Sequence, residues 1–268
     1  METEWDEALY YECAVDICSG LMAQCTAVEL RAVRGGDVTA EMDMAALRRD
    51  YLAELRTLEP AEVSTVTAKI REWGTALAQK IAEPEDRGPI RSDPESYRLD
   101  RDEHGAIFEY SIRPEILGEL HRSRNPAAVI VAGPPATGKT TAVHGLVESW
   151  SGAEPAIIDP EMLQVYHPRS WDLVLAEDTA AAEVVMADAL GWTALAVDAV
   201  IEAGSDVVLE IGTKLPDHAE AFAAVFRDCG YRVELELTMV PEPMRQLNLN
   251  LRRQCRRGNW AVLGSGPA

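Results

Sequence analysis

Eight consecutive residues carry the clearest chemistry in the chain. Gly133-Pro134-Pro135-Ala136-Thr137-Gly138-Lys139-Thr140 satisfies the spacing G-x-x-x-x-G-K-[ST]. A loop with glycines at these places lets backbone N–H groups converge on phosphate oxygens without obstruction from Cβ atoms. Lys139 has the length to reach β- and γ-phosphates, and the Thr140 hydroxyl is a ligand for Mg²⁺. Thr141 follows in the first turn of a helix whose positive dipole end faces the same phosphates. The expected cofactors are therefore ATP or GTP with Mg²⁺. No guanine-reading Asn-Lys-x-Asp occurs, which speaks against a GTPase switch.

Two further groups of residues could act on a bound nucleotide. Ile158-Asp159-Pro160-Glu161 sets two carboxylates just past a short apolar run. A carboxylate at the carboxyl end of such a strand can take the proton of an acceptor hydroxyl, so Asp159 and Glu161 are both candidate bases. The plainer alternative is that Asp159 caps the next turn and Glu161 is solvated. Past Pro241, a helical stretch holds Arg245, Arg252, Arg253, Arg256 and Arg257, with no acid after Glu242. Such a cationic patch can clamp a transferring phosphoryl group. It can equally be a helix end whose arginines balance the carbonyl dipole.

These residues need elements to position them. Ala127-Ala-Val-Ile-Val-Ala runs straight into the glycine loop, and three more short apolar runs follow: Ala156-Ile-Ile, Asp206-Val-Val-Leu-Glu-Ile and Arg232-Val-Glu-Leu-Glu-Leu. Helical patterns separate them, at about 139–150, 173–204 and 217–228, with another at 104–122. Strand alternating with helix predicts an α/β domain, a parallel sheet with flanking helices over 104–268. Ligands bind beyond the carboxyl ends of the strands in such sheets, where both reactive groups lie. The first 82 residues carry no strand signal. They read as a small helical bundle, with helices at 4–33, at 40–57 and from Pro60 to about Ile81. A proline-rich charged stretch, 83–103, reads as a linker.

Composition narrows the function classes. At 26% charged and 47% hydrophobic the chain is globular, and 268 residues allow one or two domains. A net charge of −20 repels a phosphate backbone, so no nucleic-acid partner is expected, although a small anion can still bind in a local pocket. No apolar run approaches the ~20 residues of a membrane span, so no membrane association is expected. The acidic start Met-Glu-Thr-Glu-Trp-Asp is unlike a secretory leader. Five cysteines without a CxxC pair suit reduced core thiols, and a cytoplasmic location is expected. His104, His121, His144 and His218 lack metal-ligand spacing and are expected at the surface.

The stretch from Arg101 to Arg257 resembles the zeta toxins of toxin–antitoxin systems, P-loop kinases that phosphorylate UDP-N-acetylglucosamine. The resemblance rests on the lead-in segment His104-Gly-Ala-Ile-Phe-Glu-Tyr, the glycine loop, and Ile158-Asp159-x-Glu161 followed by His167-Pro168. Leu209-Glu210 and Cys229-Gly230-Tyr231 complete it. It implies that Glu161 occupies the place of the family's catalytic aspartate, one methylene longer, with Asp159 as a competing base. It sets Glu210 on an acceptor-binding glutamate, Gly212 on a threonine and Lys214 on an arginine. A one-residue shift instead aligns Gly212-Thr213 and loses the Glu210 match. Arg252 or Arg253 matches a phosphate-contacting arginine. His167 and Tyr166 either line the acceptor pocket or pack internally. A second family arginine and a C-terminal substrate wall find no counterpart. Zeta toxins are held by a three-helix antitoxin, so residues 1–82 are expected to serve as an attached antitoxin-like inhibitor. The alternatives are a separate antitoxin partner, or a bundle that only stabilises or dimerises. Two other functions stay open: a nucleotide-binding pseudo-kinase, and a kinase with another acceptor such as an antibiotic, a nucleoside or NAD.

Overall fold

The structure, a computed structural model, describes residues 2–83, 93–176, 179–212 and 216–259. They form two compact units, each assembled from separated stretches of chain. One contains residues 1–99, 164–188 and 247–268; the other contains 100–163 and 189–246.

The second unit holds the sheet. Its strands β1 (Ala127–Gly133), β2 (Ala156–Ile158), β3 (Val207–Gly212) and β4 (Arg232–Leu237) are all parallel, in the order β2-β3-β1-β4. Every residue of β1 is buried, as a continuously apolar central strand requires. Register sets Gly133 of β1 opposite Gly212 of β3, so both strands end together. Val129, Val131 and Val208 pack with Val143 of α5 (Lys139–Glu148), and that cluster fixes the helix that opens the loop. The helix α9 (Pro216–Asp228) packs on β1, β3 and β4. β4 is an edge strand and mostly exposed, with only Val233 and Glu236 half-buried. The segment expected as one helix over 104–122 differs in detail. A short α4 (Arg101–Ile107) passes into a wider turn over Phe108–Leu117 that contains Pro114. Proline has no N–H for the normal i→i−4 bond, and the widened hydrogen bonding absorbs that loss.

The first unit is helical. The helix α1 (Glu2–Gly35) packs on α2 (Val38–Arg56) and α3 (Val63–Ala82), which fits the expected bundle. The helix α3 starts later than the sequence suggests, because Pro60 lies in the preceding turn. Tyr51 meets the buried Trp73 edge-on at 6.4 Å, and Leu77 fills the space above Gly20. Cys13, Cys18, Cys25 and Cys255 are buried free thiols, while Cys229 is exposed. The bundle also packs on later parts of the chain: α1 contacts the turn Gln164–Tyr166 and α7 (Ser170–Ala176). The stretch expected as one helix over 173–204 is helical in α7 and in α8 (Thr179–Ala203), with residues 177 and 178 outside the described residues. Part of the expected linker also packs inward, with Tyr97 buried against Ala181, Val184 and Val185. Residues 84–92 lie outside the described residues. Two helices, α1 and α8, are long and apolar enough to span a bilayer by composition alone, contrary to the reading of the sequence. Much of each apolar surface is used in packing: Cys13, Ile17 and Met22 of α1 and Trp192 and Val200 of α8 are fully buried.

Candidate functional site

The glycine loop joins β1 to α5, and its shape depends on two backbone positions. Gly138 adopts φ 83° immediately before the first residue of α5, a left-handed conformation that glycine takes without penalty. Ala136 also takes a left-handed φ of 64°, although it carries a Cβ and is fully buried. Gly133 is needed for a different reason. A Cβ there would lie 2.1 Å from Thr238 Oγ1 and 2.7 Å from the Thr238 carbonyl oxygen.

Three side chains converge beneath this loop. Lys139 is buried, and its Nζ donates to the Pro134 carbonyl at 3.3 Å and lies 3.7 Å from Glu210 Oε1. The Thr140 hydroxyl donates to the same Glu210 oxygen at 3.3 Å. Glu210 is buried on β3, the strand beside β1, opposite Val131. An anionic oxygen and a hydroxyl this close are hard donors of the kind Mg²⁺ takes, so Thr140 and Glu210 fit that ion. The resemblance set Glu210 on the acceptor; in the structure its Oε1 lies beside Lys139 Nζ and the Thr140 hydroxyl.

The two candidate bases sit at the end of β2 and do different things. Asp159 Oδ1 accepts from the Glu161 backbone N–H at 2.8 Å, and its carbonyl accepts from Leu163 N–H at 3.0 Å, so it caps the short α6 (Pro160–Leu163). Burial, and then the negative charge of Glu161, push the Asp159 carboxyl up to about 7. Lys139 pulls the other way, which connects this pair to the loop lysine. Both carboxylates are half-buried.

The remaining expected site residues are placed as follows. Gly212 ends β3 level with Gly133. Lys214 lies outside the described residues. His167 is not available to an acceptor: it has no exposed surface, its Nδ1 accepts from the Arg169 N–H, and its Nε2 faces Asp188 at 3.4 Å. Its neighbour Tyr166 is likewise buried, beneath the Arg48 guanidinium at 5.1 Å. Among the other histidines, His104 stacks on Trp192 at 4.9 Å and is half-buried.

The arginine helix is α10 (Glu242–Arg256). Arg253 is exposed, whereas Arg252 is buried within the first compact unit. Its Nε and Nη2 donate to Asp16 at 2.7 and 3.0 Å, and its Nη1 donates to Glu12 at 3.1 Å. Arg256 adds a second contact to Asp16 at 3.0 Å. Reading the sequence did not single out Glu12 or Asp16, and no local signal could, because their partner lies 236 to 240 residues away. Thr238, whose hydroxyl stands 2.7 Å from that of Thr137, was missed for the same reason.

The family model described as zeta toxin matches residues 115–257. One similar solved structure comes from the PezAT chromosomal toxin–antitoxin system of the human pathogen Streptococcus pneumoniae. It superposes with a TM-score of 0.53 at 18% identity, over 63% of this chain and 68% of that one. That likeness is one of fold. No curated protein matches the chain.

Proposed function

The chain belongs to the zeta toxin family, whose members are P-loop kinases that bind ATP, and from that premise we propose a substrate and a form of control. The protein transfers the γ-phosphate of ATP or GTP to a hydroxyl of a nucleotide sugar such as UDP-N-acetylglucosamine, and its own N-terminal helices restrain it.

The convergence of Lys139, Thr140 and Glu210 beneath the loop carries the kinase reading. Lys139 exchanges its contacts with Pro134 and Glu210 for β- and γ-phosphate oxygens. Thr140 and Glu210 would hold Mg²⁺, which would offset charge on those phosphates. Glu161 takes the acceptor proton. Asp159 already spends its carboxylate on the turn of α6, which leaves Glu161 as the freer base. The arrangement of Arg252 supports the restraint. The family resemblance assigns this guanidinium, or its neighbour, to nucleotide phosphates, and here Glu12 and Asp16 engage its Nε, Nη1 and Nη2. Carboxylates and phosphate oxygens compete for the same fork of N–H groups. The PezAT structure belongs to a system in which toxin and antitoxin are paired; the bundle 1–82 would supply the restraining half in the same chain. A reducing cytoplasm suits the buried thiols and the nucleotide.

The test is to incubate the full-length protein, and its Asp16→Asn variant at a temperature where it stays folded, with labelled ATP. The acceptor panel contains nucleotide sugars, nucleosides, an aminoglycoside and NAD, and products are read by mass. Phosphorylated UDP-N-acetylglucosamine, formed faster by the variant, is expected. Nucleotide binding without any product would overturn the transfer reading in favour of a pseudo-kinase, and an equal rate in both proteins would overturn the restraint.

A further inference from the structure

We propose that Thr238, the residue that follows β4, is a positioning residue for the phosphate loop; the inference rests on the nucleotide-binding reading above. A threonine hydroxyl has one proton to give. That of Thr137 goes to the Pro134 carbonyl at 2.8 Å. The 2.7 Å contact between the Thr137 and Thr238 hydroxyls must then be donated by Thr238. The result is a directed relay, from Thr238 O–H to Thr137 O–H to the Pro134 carbonyl, which also receives Lys139 Nζ. Thr238 is itself fixed, because its N–H donates to the Ala132 carbonyl at 2.9 Å and continues the pairing of β4 with β1.

The relay has a strained neighbour to hold. Ala136 lies in the left-handed region at φ 64°, a conformation that disfavours any residue with a Cβ. Such a conformation persists only where the surroundings over-determine it. Thr137, the next residue, is buried and pinned from two sides, by Pro134 within the loop and by Thr238 from outside it. The absence of a side chain at Gly133 is what lets Thr238 come close enough. Thr238 therefore acts through Thr137: it keeps the turn at Ala136 in the shape that aims the loop N–H groups at phosphate, without touching the nucleotide.

The experiment uses the full-length protein with Mg·ATP, with affinity measured by calorimetry and folding by a thermal melt. Thr238→Val keeps the shape and removes the donor. It should weaken ATP binding roughly tenfold, the factor expected when one buried hydroxyl loses its partner. Thr238→Ser should bind like wild type. Adding Ala136→Gly to Thr238→Val should recover most of the loss, because glycine reaches φ 64° without the relay. A rescue by relieving strain at Ala136, the residue next to Thr137, is not what general destabilisation produces. Should the valine variant fail to fold, Thr137→Val breaks the same relay from the loop side, and a similar loss is expected. Binding within twofold of wild type for Thr238→Val, or no rescue by Ala136→Gly, overturns the proposal. If wild type binds ATP, Lys139→Ala abolishes that binding and Thr238→Val does not change it, only the role of Thr238 falls. If wild type does not bind ATP, the kinase reading falls with it.

Discussion

Replacing Asp16 by Asn removes one negative charge from a buried site where the Arg252 guanidinium also meets Glu12. Side-chain exposure is 7% at Asp16, 9% at Arg252 and 4% at Glu12, so water cannot take over the lost interaction. Breaking a buried ion pair by removing one partner costs about 3–5 kcal/mol, since the other charge stays desolvated. For a chain of this size the lower end of that range lowers the melting temperature by about 10 °C. The pH dependence gives the argument a second handle. Burial acts to raise the Asp16 carboxyl, but the charges of Arg252 and Arg256 outweigh it and hold the group below its ordinary value of 3.8. With the folded value depressed, the stabilisation is complete above the unfolded value and is lost as pH falls through the folded one. Denaturant unfolding of wild type and Asp16→Asn should therefore show a wide gap at pH 7 that narrows below about pH 4. The paired change Asp16→Leu with Arg252→Met should regain much of the loss, as buried pairs replaced by apolar groups often do. A gap under about 1 kcal/mol at pH 7, typical of a surface pair, would refute the reasoning. So would a gap that is the same at pH 3.

Three other predictions concern the kinase unit. Glu161→Gln should lower kcat by about 10²–10⁴ with little change in ATP affinity, measured by steady-state kinetics and calorimetry. Asp159→Asn keeps an amide oxygen for the cap but cannot ionise. Because burial raises the Asp159 carboxyl to about 7, wild type should lose stability relative to the variant as pH rises from about 4 to 7, then track it above; urea titrations across that range read it. Gly133→Ala drives a methyl to 2.1 Å from Thr238 Oγ1 and should destabilise the protein by at least about 2 kcal/mol while abolishing ATP binding.

What was legible in the sequence was what is local. The glycine loop, β1 and α5 follow one another within a few residues, so their pattern alone predicted their geometry, and the apolar runs at β2, β3 and β4 announced a parallel sheet. The wide turn at Phe108–Leu117 was not legible, because its apolar residues Phe108, Ile112 and Ile116 keep a helical spacing through Pro114. The apolar length of α1 and α8 was also not singled out, because acidic residues interrupt the apolar runs; part of that surface is used in packing. In the site, Lys139, Thr140 and Glu210 were found by motif and strand end, but which of them Glu210 faces was not. For His167 the sequence left lining the acceptor pocket and internal packing open, and its burial beside Asp188 matches the packing alternative. Thr238 and the pair Glu12 and Asp16 act on residues 101 to 240 positions away, a distance over which no spacing rule operates.

That separation also sets an order of events during synthesis. A ribosome makes Glu12 and Asp16 before Arg252, which comes 236 positions after Asp16. At about 5–20 residues per second, the carboxylates wait roughly 10 to 50 s for their partner. By then the residues of all four strands and the glycine loop, which end at Leu237, have already been made. The guanidinium therefore emerges after the strands, into a chain whose acceptors for it are already present at intramolecular concentration. Two separate genes would have to match doses to ensure the same encounter. A single reading frame enforces it one to one, in every copy, from the moment the arginine exists.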